Sequence, residues 1–440
     1  MNTKNIFVSL LVLGFSLSLF AQRTSVRDEI RADWNLCSGL DAVYDMSPKS
    51  MSSAPKGYEP VYVSHYGRHG SRFAYTTRAY ATPVRMLAAA DSSDNLTDYG
   101  KQLYAELKPF ADTVLAHTGD LTPLGWQQHQ YIAKTMAESF PAAFKGKSRV
   151  DACASPKIRS IISMGSFCTS LARTCPNVSI YQHQGVAEMQ CTAPNRKDNP
   201  IKYSGPATPF PYAESPDAFL HRRFPGYKDV LGKIFKDPEK GLGGRTAFSV
   251  MFVFQLLVGG MNSVPENYRA KVEGIFDKEQ YAQVWECCNY DSFREYNAYK
   301  TPCSNIWRDM VLRADKRLAS GEKGADLRFG HDHCLMTLLM IADVEDFGTI
   351  PENPDDLCLY FQTFRSPMGG NLQMVFYAPK GWADKKAKGC AKAGEPEFLV
   401  KLLLNGEEVR FGKLETEQGP YYKWSVLRDY LQKRIALFLD

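Results

Sequence analysis

The stretch Arg68-His69-Gly70-Ser71-Arg72 follows a strand-like run, Val61-Tyr62-Val63-Ser64-His65-Tyr66, and carries it into a glycine-containing loop. A histidine flanked by two arginines at the end of a strand is an odd arrangement to build for stability alone. Two guanidiniums beside an imidazole repel its protonated form and so favour the neutral, nucleophilic ring. The same guanidiniums present planar forks that match phosphate oxygens. The local chemistry is a nucleophile inside an anion clamp, which is what attack on a phosphoryl group requires. Taken alone, the five residues also fit a solvated turn with both arginines exposed and the imidazole packed.

Outward from this loop, residues 61 to about 185 alternate strand-like and helix-like segments, which predicts an α/β core. Thr122-Pro123 suits a helix start, with threonine at the N-cap and proline at the first helical position. Ser155-Pro156 repeats that grammar after a strand expected over 148–154. Residues 193–216 hold six prolines and predict a long irregular loop. From about 217 to 320 the pattern is mainly helical, and the apolar run 246–258 has the length of a buried core helix, not of a membrane span. Residues 327–330 read as a strand returning to the core. Later strands are expected at 358–364, 372–377 and 398–404, with Asn405-Gly406 as a hairpin turn into 408–410. The resulting boundaries are a leader at 1–21, a first core segment at 22–192, the loop and helical insertion at 193–322, and a second core segment at 323–440.

A phosphohistidine mechanism needs further cations on the phosphoryl oxygens, a second donor, and an acid for the departing alkoxide. Arg159 falls in the first turn of the helix expected after Ser155-Pro156, where free N–H groups favour an anion. Its own charge opposes the helix dipole there, which hints at function; a surface arginine is the alternative. Ile158, Ile161, Gly165 and Cys168 have the spacing of a core-facing stripe. Gly330-His331-Asp332 lies between a strand and the apolar helix expected over 333–341, where an aspartate also fits an ordinary N-cap.

In this order along the chain, Arg-His-Gly-x-Arg at 68–72, the segment Leu121-Thr122-Pro123-Leu124-Gly125-Trp126-Gln127-Gln128, the helix bearing Arg159, and His331-Asp332 resemble the histidine phosphatase superfamily, in its branch of histidine acid phosphatases and phytases. The resemblance implies a three-layer α/β/α core around a mostly parallel sheet, with a mainly helical inserted cap domain. It places the site at the carboxyl edge of the sheet. It implies that His69 attacks phosphorus, that Asp332 is the general acid, and that Arg68, Arg72, Arg159 and His331 hold the phosphate. It implies no metal or other cofactor, because cationic side chains neutralise the phosphate. It implies a mainly structural role for the segment at 121–128. Two departures stand out. His333-Cys334 follows the acid where relatives usually carry a small or polar residue. In the inositol-polyphosphate branch the acid is often a glutamate within His-Ala-Glu, whereas this chain has His-Asp.

The implied partner is a small phosphorylated substrate. Arg196, Lys197, Lys202, His221, Arg222 and Arg223 would favour polyanions such as inositol phosphates if they line the pocket; otherwise they are solvated. Three other readings remain at this point: a metallohydrolase using a His331-Asp332-His333 ligand cluster, a non-catalytic phosphate-ester binding protein, and a mutase of the same superfamily, whose members typically lack the late His-Asp element and an export signal.

The net charge of +5 over 440 residues does not make the concentrated basic stripe expected of a nucleic-acid binder. Residues 1–21 read as a secretory signal peptide, with Lys4 in a short n-region, an apolar run at 6–20, and Ala21 at its end. That run is shorter than the ~20 residues of a spanning helix. The mature chain is therefore expected to be exported, periplasmic or secreted, without stable membrane insertion. Eleven cysteines leave at least one unpaired within the chain, and no paired C-x-x-C spacing suggests a zinc ribbon.

Overall fold

The computed structural model describes residues 26–202, 207–387 and 396–438; the leader expected at 1–21 lies outside them. Eight strands form one sheet: β1 (Tyr58–Arg68), β2 (Ser148–Ala154), β3 (Val178–Gln184), β4 (Gly324–Gly330), β5 (Asn371–Pro379), β6 (Leu399–Leu404), β7 (Glu407–Val409) and β8 (Tyr421–Lys423). Their order is β3-β2-β4-β1-β5-β6-β7, with β8 also on β6. β1 to β4 pair in parallel, whereas β5 runs against β1 and β6 against β5. Five of the eight strands, β1 to β4 and β6, therefore point the same way, and the sheet is open and mostly parallel.

The central strands are buried along nearly their whole length, as expected of a sheet covered on both faces. Alternation sorts their side chains into two cores. Val63, Leu327 and Val375 pack with Met136 of α3 (Pro123–Ser139) and Phe167 of α4 (Ile158–Thr174). Tyr62, Tyr66 and Phe376 face the other way, toward Trp307 of α9 (Lys300–Ser320), Leu335 of α10 (Asp332–Ala342) and Leu427 of α11 (Trp424–Ala436). These are the three layers of an α/β/α core.

A largely helical body sits over the carboxyl edge of the sheet. It holds α5 (Pro216–Arg223), α6 (Tyr227–Ile234), α7 (Ala247–Gly260) and α8 (Lys278–Asn297), and it also takes α1 (Arg78–Ser92) and α2 (Asp98–Val114) from the first core segment. Leu96 bridges to Phe235 across that junction. The apolar run at 246–258 forms α7, capped by Thr246, whose hydroxyl accepts from the Ser249 N–H. Within the described residues, 193–202 and 207–215 carry no helix or strand. No described helix is long and apolar enough to cross a membrane, and the ten cysteines among the described residues are free thiols.

Three local expectations fail for identifiable reasons. The strand expected at 358–364 is instead two short 3-10 turns, Pro354–Leu359 and Thr363–Arg365. Asn289 of α8 satisfies this backbone from outside a sheet: it donates to the Phe361 carbonyl at 2.7 Å and accepts from the Thr363 N–H at 2.9 Å. Ser155-Pro156 does not open α4, which starts at Ile158 with Lys157 at its N-cap. The expected stripe on α4 is also displaced. Ile158 is 68% exposed, and Met164, Phe167, Cys168 and Leu171 face the core.

Candidate active site

The register of β1 against β4 determines what can meet at the sheet edge. Arg68 pairs with Gly330, so His69 and His331 leave the two strands side by side, their rings edge-on with centroids 5.6 Å apart. β2 ends at the same level, with Ala154 opposite Phe329. The next residue, Ser155, places its hydroxyl 2.9 Å from His331 Nε2. The first turn of α4 then brings Arg159, and the first residue of α10 is Asp332. His69, Asp332, Arg68, Arg72, Arg159 and His331 all line one cavity of about 240 Å³.

The loop that carries His69 is gripped from behind. Gly70 N–H donates to Ser163 Oγ at 3.1 Å, Ser71 N–H to Gln128 Oε1 at 2.8 Å, and Thr122 N–H to the Ser71 carbonyl at 2.9 Å. A Cβ on Gly70 would stand 2.6 Å from the carbonyl oxygen of Gly125. This contact gives the segment at 121–128 its structural work: it supports the loop with a glycine where the two backbones touch. His129, next to it, is buried.

His69 Nδ1 lies 3.0 Å from the Gly70 carbonyl oxygen, which can only accept. Nδ1 therefore carries the hydrogen, and Nε2 keeps its lone pair. Burial pushes the imidazole pKa well below its usual value, and Arg159, Arg68 and Arg72 push it the same way. The neutral ring follows from desolvation first and from the guanidiniums second, the reverse of the weight the sequence gives them.

Arg68 is fully buried, and its Nη1 donates to the carbonyls of Leu40 and Ser366. Its Nε and Nη2, together with Nε of Arg72 and Nε of Arg159, are buried donors with no hydrogen-bond partner. Burial, then the charge of Arg72, brings the Arg159 pKa down to about 9, so its guanidinium stays cationic at neutral and acid pH. Buried donors are normally paired. Here several belong to arginines that line the same cavity as His69, an arrangement that can hold an oxyanion.

Asp332 Oδ2 accepts from the Tyr296 hydroxyl at 2.8 Å, and Oδ1 lies 3.9 Å from Arg68 Nε. Burial pushes this carboxyl up, but Arg68, His333 and the Tyr296 bond outweigh it and hold Asp332 below the usual carboxylate range.

No protein-family model matches the sequence, and no curated protein matches it either. Solved structures do match the fold. The Bifidobacterium longum multiple inositol polyphosphate phosphatase in complex with phosphate superposes with a TM-score of 0.68 at 17% identity, covering 90% of this chain and 97% of that one. The same protein with inositol hexasulfate gives 0.67 at 17% identity, covering 88% and 96%. The phytase from D. castellii gives 0.65 at 15% identity, covering 92% and 85%. This chain has the histidine acid phosphatase fold.

Within that histidine acid phosphatase fold, several groups at the cavity have no local sequence signal. Tyr296 arrives from α8. Asp41, 3.8 Å from Arg72 Nη2, arrives from a turn near the N-terminus. Ser155 was findable, because it is the first residue beyond β2. The basic residues of the loop and insertion are mostly elsewhere: of the six considered, Arg196 alone lines the cavity. Arg222 is bound to Glu214 and Asp355, and Arg223 to Glu286. The metal-cluster reading of His331-Asp332-His333 does not hold. His331 Nε2 is engaged with Ser155, its ring stacks on His333 at 5.4 Å, and among the described residues these three do not converge as ligands.

Proposed function

We propose that this chain hydrolyses phosphomonoesters through a phosphohistidine on His69. The observation that carries the reading is the set of unpaired guanidinium donors of Arg68, Arg72 and Arg159 around a neutral imidazole whose Nε2 lone pair is free. Arg68, Arg72, Arg159 and His331 hold the phosphate oxygens. His69 Nε2 attacks phosphorus in line, the bond from phosphorus to the ester oxygen breaks, and Asp332 gives that oxygen its proton. Water then attacks phosphorus, Asp332 takes a proton back, and the bond from Nε2 to phosphorus breaks to release inorganic phosphate. A bound phosphate dianion offsets the arginines that hold Asp332 ionised, so substrate itself favours the protonated acid. The chemistry needs little beyond positioning and charge stabilisation.

One solved neighbour is named as an inositol polyphosphate phosphatase and another as a phytase, which supports phosphate esters of alcohols as the substrate class; how many phosphates the ester carries is a separate matter of the cavity lining. Export to the periplasm or medium is part of the same proposal and rests on the apolar run at 6–20. The test is release of inorganic phosphate from an alkyl phosphomonoester. His69→Ala should lower it by roughly a thousandfold or more; a His69→Ala protein within tenfold of the parent would contradict the proposal.

A further inference from the structure

The cavity has two unlike walls. The wall at the sheet edge holds the cations, Arg68, Arg72 and Arg159 around His69, with Arg196 beside them. Even Arg196 is partly committed, since its guanidinium binds Asp198 at 2.9 Å. The facing wall comes from the cap helices α7 and α8 and carries no lysine or arginine among the described lining residues. Phe252 and Leu256, one turn apart on α7, are partly exposed there. Asp291 and Glu295, one turn apart on α8, add two carboxylates; Asp291 is held by Arg294 at 2.6 Å, and Glu295 accepts from Tyr299 at 2.7 Å. Tyr75, 52% exposed, stands at the cavity with its ring 5.1 Å from the Arg72 guanidinium carbon. Asp41 and Asp332 sit beside Arg72 and Arg68 on the sheet-edge wall, at 3.8 and 3.9 Å, so Asp291 and Glu295 are the carboxylates of the facing wall.

We propose that this site selects esters carrying one phosphate on an uncharged alcohol with an apolar or aromatic flank, and discriminates against esters carrying many phosphates, such as inositol hexakisphosphate. The inference rests on the phosphomonoesterase reading above and specifies its substrate. One phosphate dianion occupies the free donors of Arg68, Arg72 and Arg159. Further phosphates on the same molecule would lie against Asp291, Glu295 and the Phe252–Leu256 face, meeting two carboxylates and giving up water without gaining a lysine or arginine on that wall. An apolar or aromatic alcohol gains contact on the same surface. The cavity volume, about 240 Å³, falls below the ~300–1,000 Å³ of sites for drug-sized ligands.

The test compares kcat/KM for phenethyl phosphate, glycerol 2-phosphate and myo-inositol hexakisphosphate on the full chain at one pH. The first two have similar leaving groups and differ in apolar surface. Phenethyl phosphate should exceed hexakisphosphate by about tenfold or more, a difference of ~1.4 kcal/mol. Phe252→Ala with Leu256→Ala should lower the phenethyl-to-glycerol ratio several-fold. Asp291→Lys with Glu295→Lys, at positions that are not buried, should raise the hexakisphosphate-to-phenethyl ratio several-fold. Equal or better turnover of hexakisphosphate by the parent, or ratios unmoved in the lysine variant, would overturn the inference while leaving His69-dependent hydrolysis intact. Turnover that does not depend on His69 for any of the three esters would overturn the reading of the site and this inference together.

Discussion

The Tyr296 hydroxyl donates to Asp332 Oδ2 at 2.8 Å, so a helix of the cap holds the carboxylate proposed here as the acid. This bond fixes a sign for the pH dependence. Burial raises the Asp332 pKa, and Arg68, His333 and the Tyr296 bond together lower it by more. The residue must be protonated to serve the leaving oxygen, so activity should peak on the acid side of neutral. Tyr296→Phe removes one of the lowering contributions. The Asp332 pKa then rises, the protonated acid persists to higher pH, and the alkaline limb of the kcat profile moves upward. A profile for Tyr296→Phe that moves downward, or stays in place, would contradict the role given to Asp332.

The same acid makes a prediction about leaving groups. Asp332→Asn keeps the shape of the side chain and loses the proton. Hydrolysis of an alkyl phosphomonoester should fall by about 10²–10⁴. Hydrolysis of p-nitrophenyl phosphate should fall far less, because that alcohol departs without needing a proton. Steady-state kcat for the two esters on parent and variant checks this; equal losses on both would move the acid to another residue.

Ser155→Ala tests whether His331 is held by its neighbour. The contact at 2.9 Å is buried, and removing one partner leaves a buried polar nitrogen, at a cost of about 1–3 kcal/mol. We expect urea unfolding to show that loss and kcat/KM to fall about tenfold, in line with a misplaced phosphate donor. Unchanged kcat/KM with lowered stability would make Ser155 a purely structural contact.

Two glycines should respond in opposite directions. A Cβ on Gly70 meets the Gly125 carbonyl at 2.6 Å, whereas a Cβ on Gly165, inside α4, meets nothing within 4 Å. Gly70→Ala should destabilise by about 1–3 kcal/mol through overpacking and should impair activity by moving His69. Gly165→Ala should stabilise by roughly 0.5–1 kcal/mol, since a helix-interior glycine is replaced in open space. Chemical denaturation of both variants decides the matter.

The legible parts of this chain are those written in local sequence. The strand over 148–154, the run into Arg68, the return strand ending at Gly330 and the Asn405-Gly406 hairpin are apolar stretches bounded by turn residues, and each lies where the sequence puts it. His69, Arg159 and His331-Asp332 meet at one cavity because each follows a strand end, and the parallel register of β2, β4 and β1 brings strand ends together. The Cys358–Phe364 region misled because its apolar residues face the cap and its backbone is satisfied by Asn289, a partner about 70 positions away. Ile158 misled because periodicity cannot tell the start of a helix beside a cavity from its middle. Tyr296 and Asp41 gave no signal at all: a tyrosine in a helix and an aspartate in a turn become site residues only through packing across the cavity.

The most direct test of the central claim is to trap the intermediate. The chain is mixed with a ³²P-labelled phosphomonoester for milliseconds and quenched in alkaline denaturant, where a phosphorus–nitrogen bond to histidine survives. The account predicts label on the peptide that contains His69, lost on acid treatment and absent from His69→Ala. Phosphate release at full rate with no label on that peptide, or label that persists in His69→Ala, would contradict it.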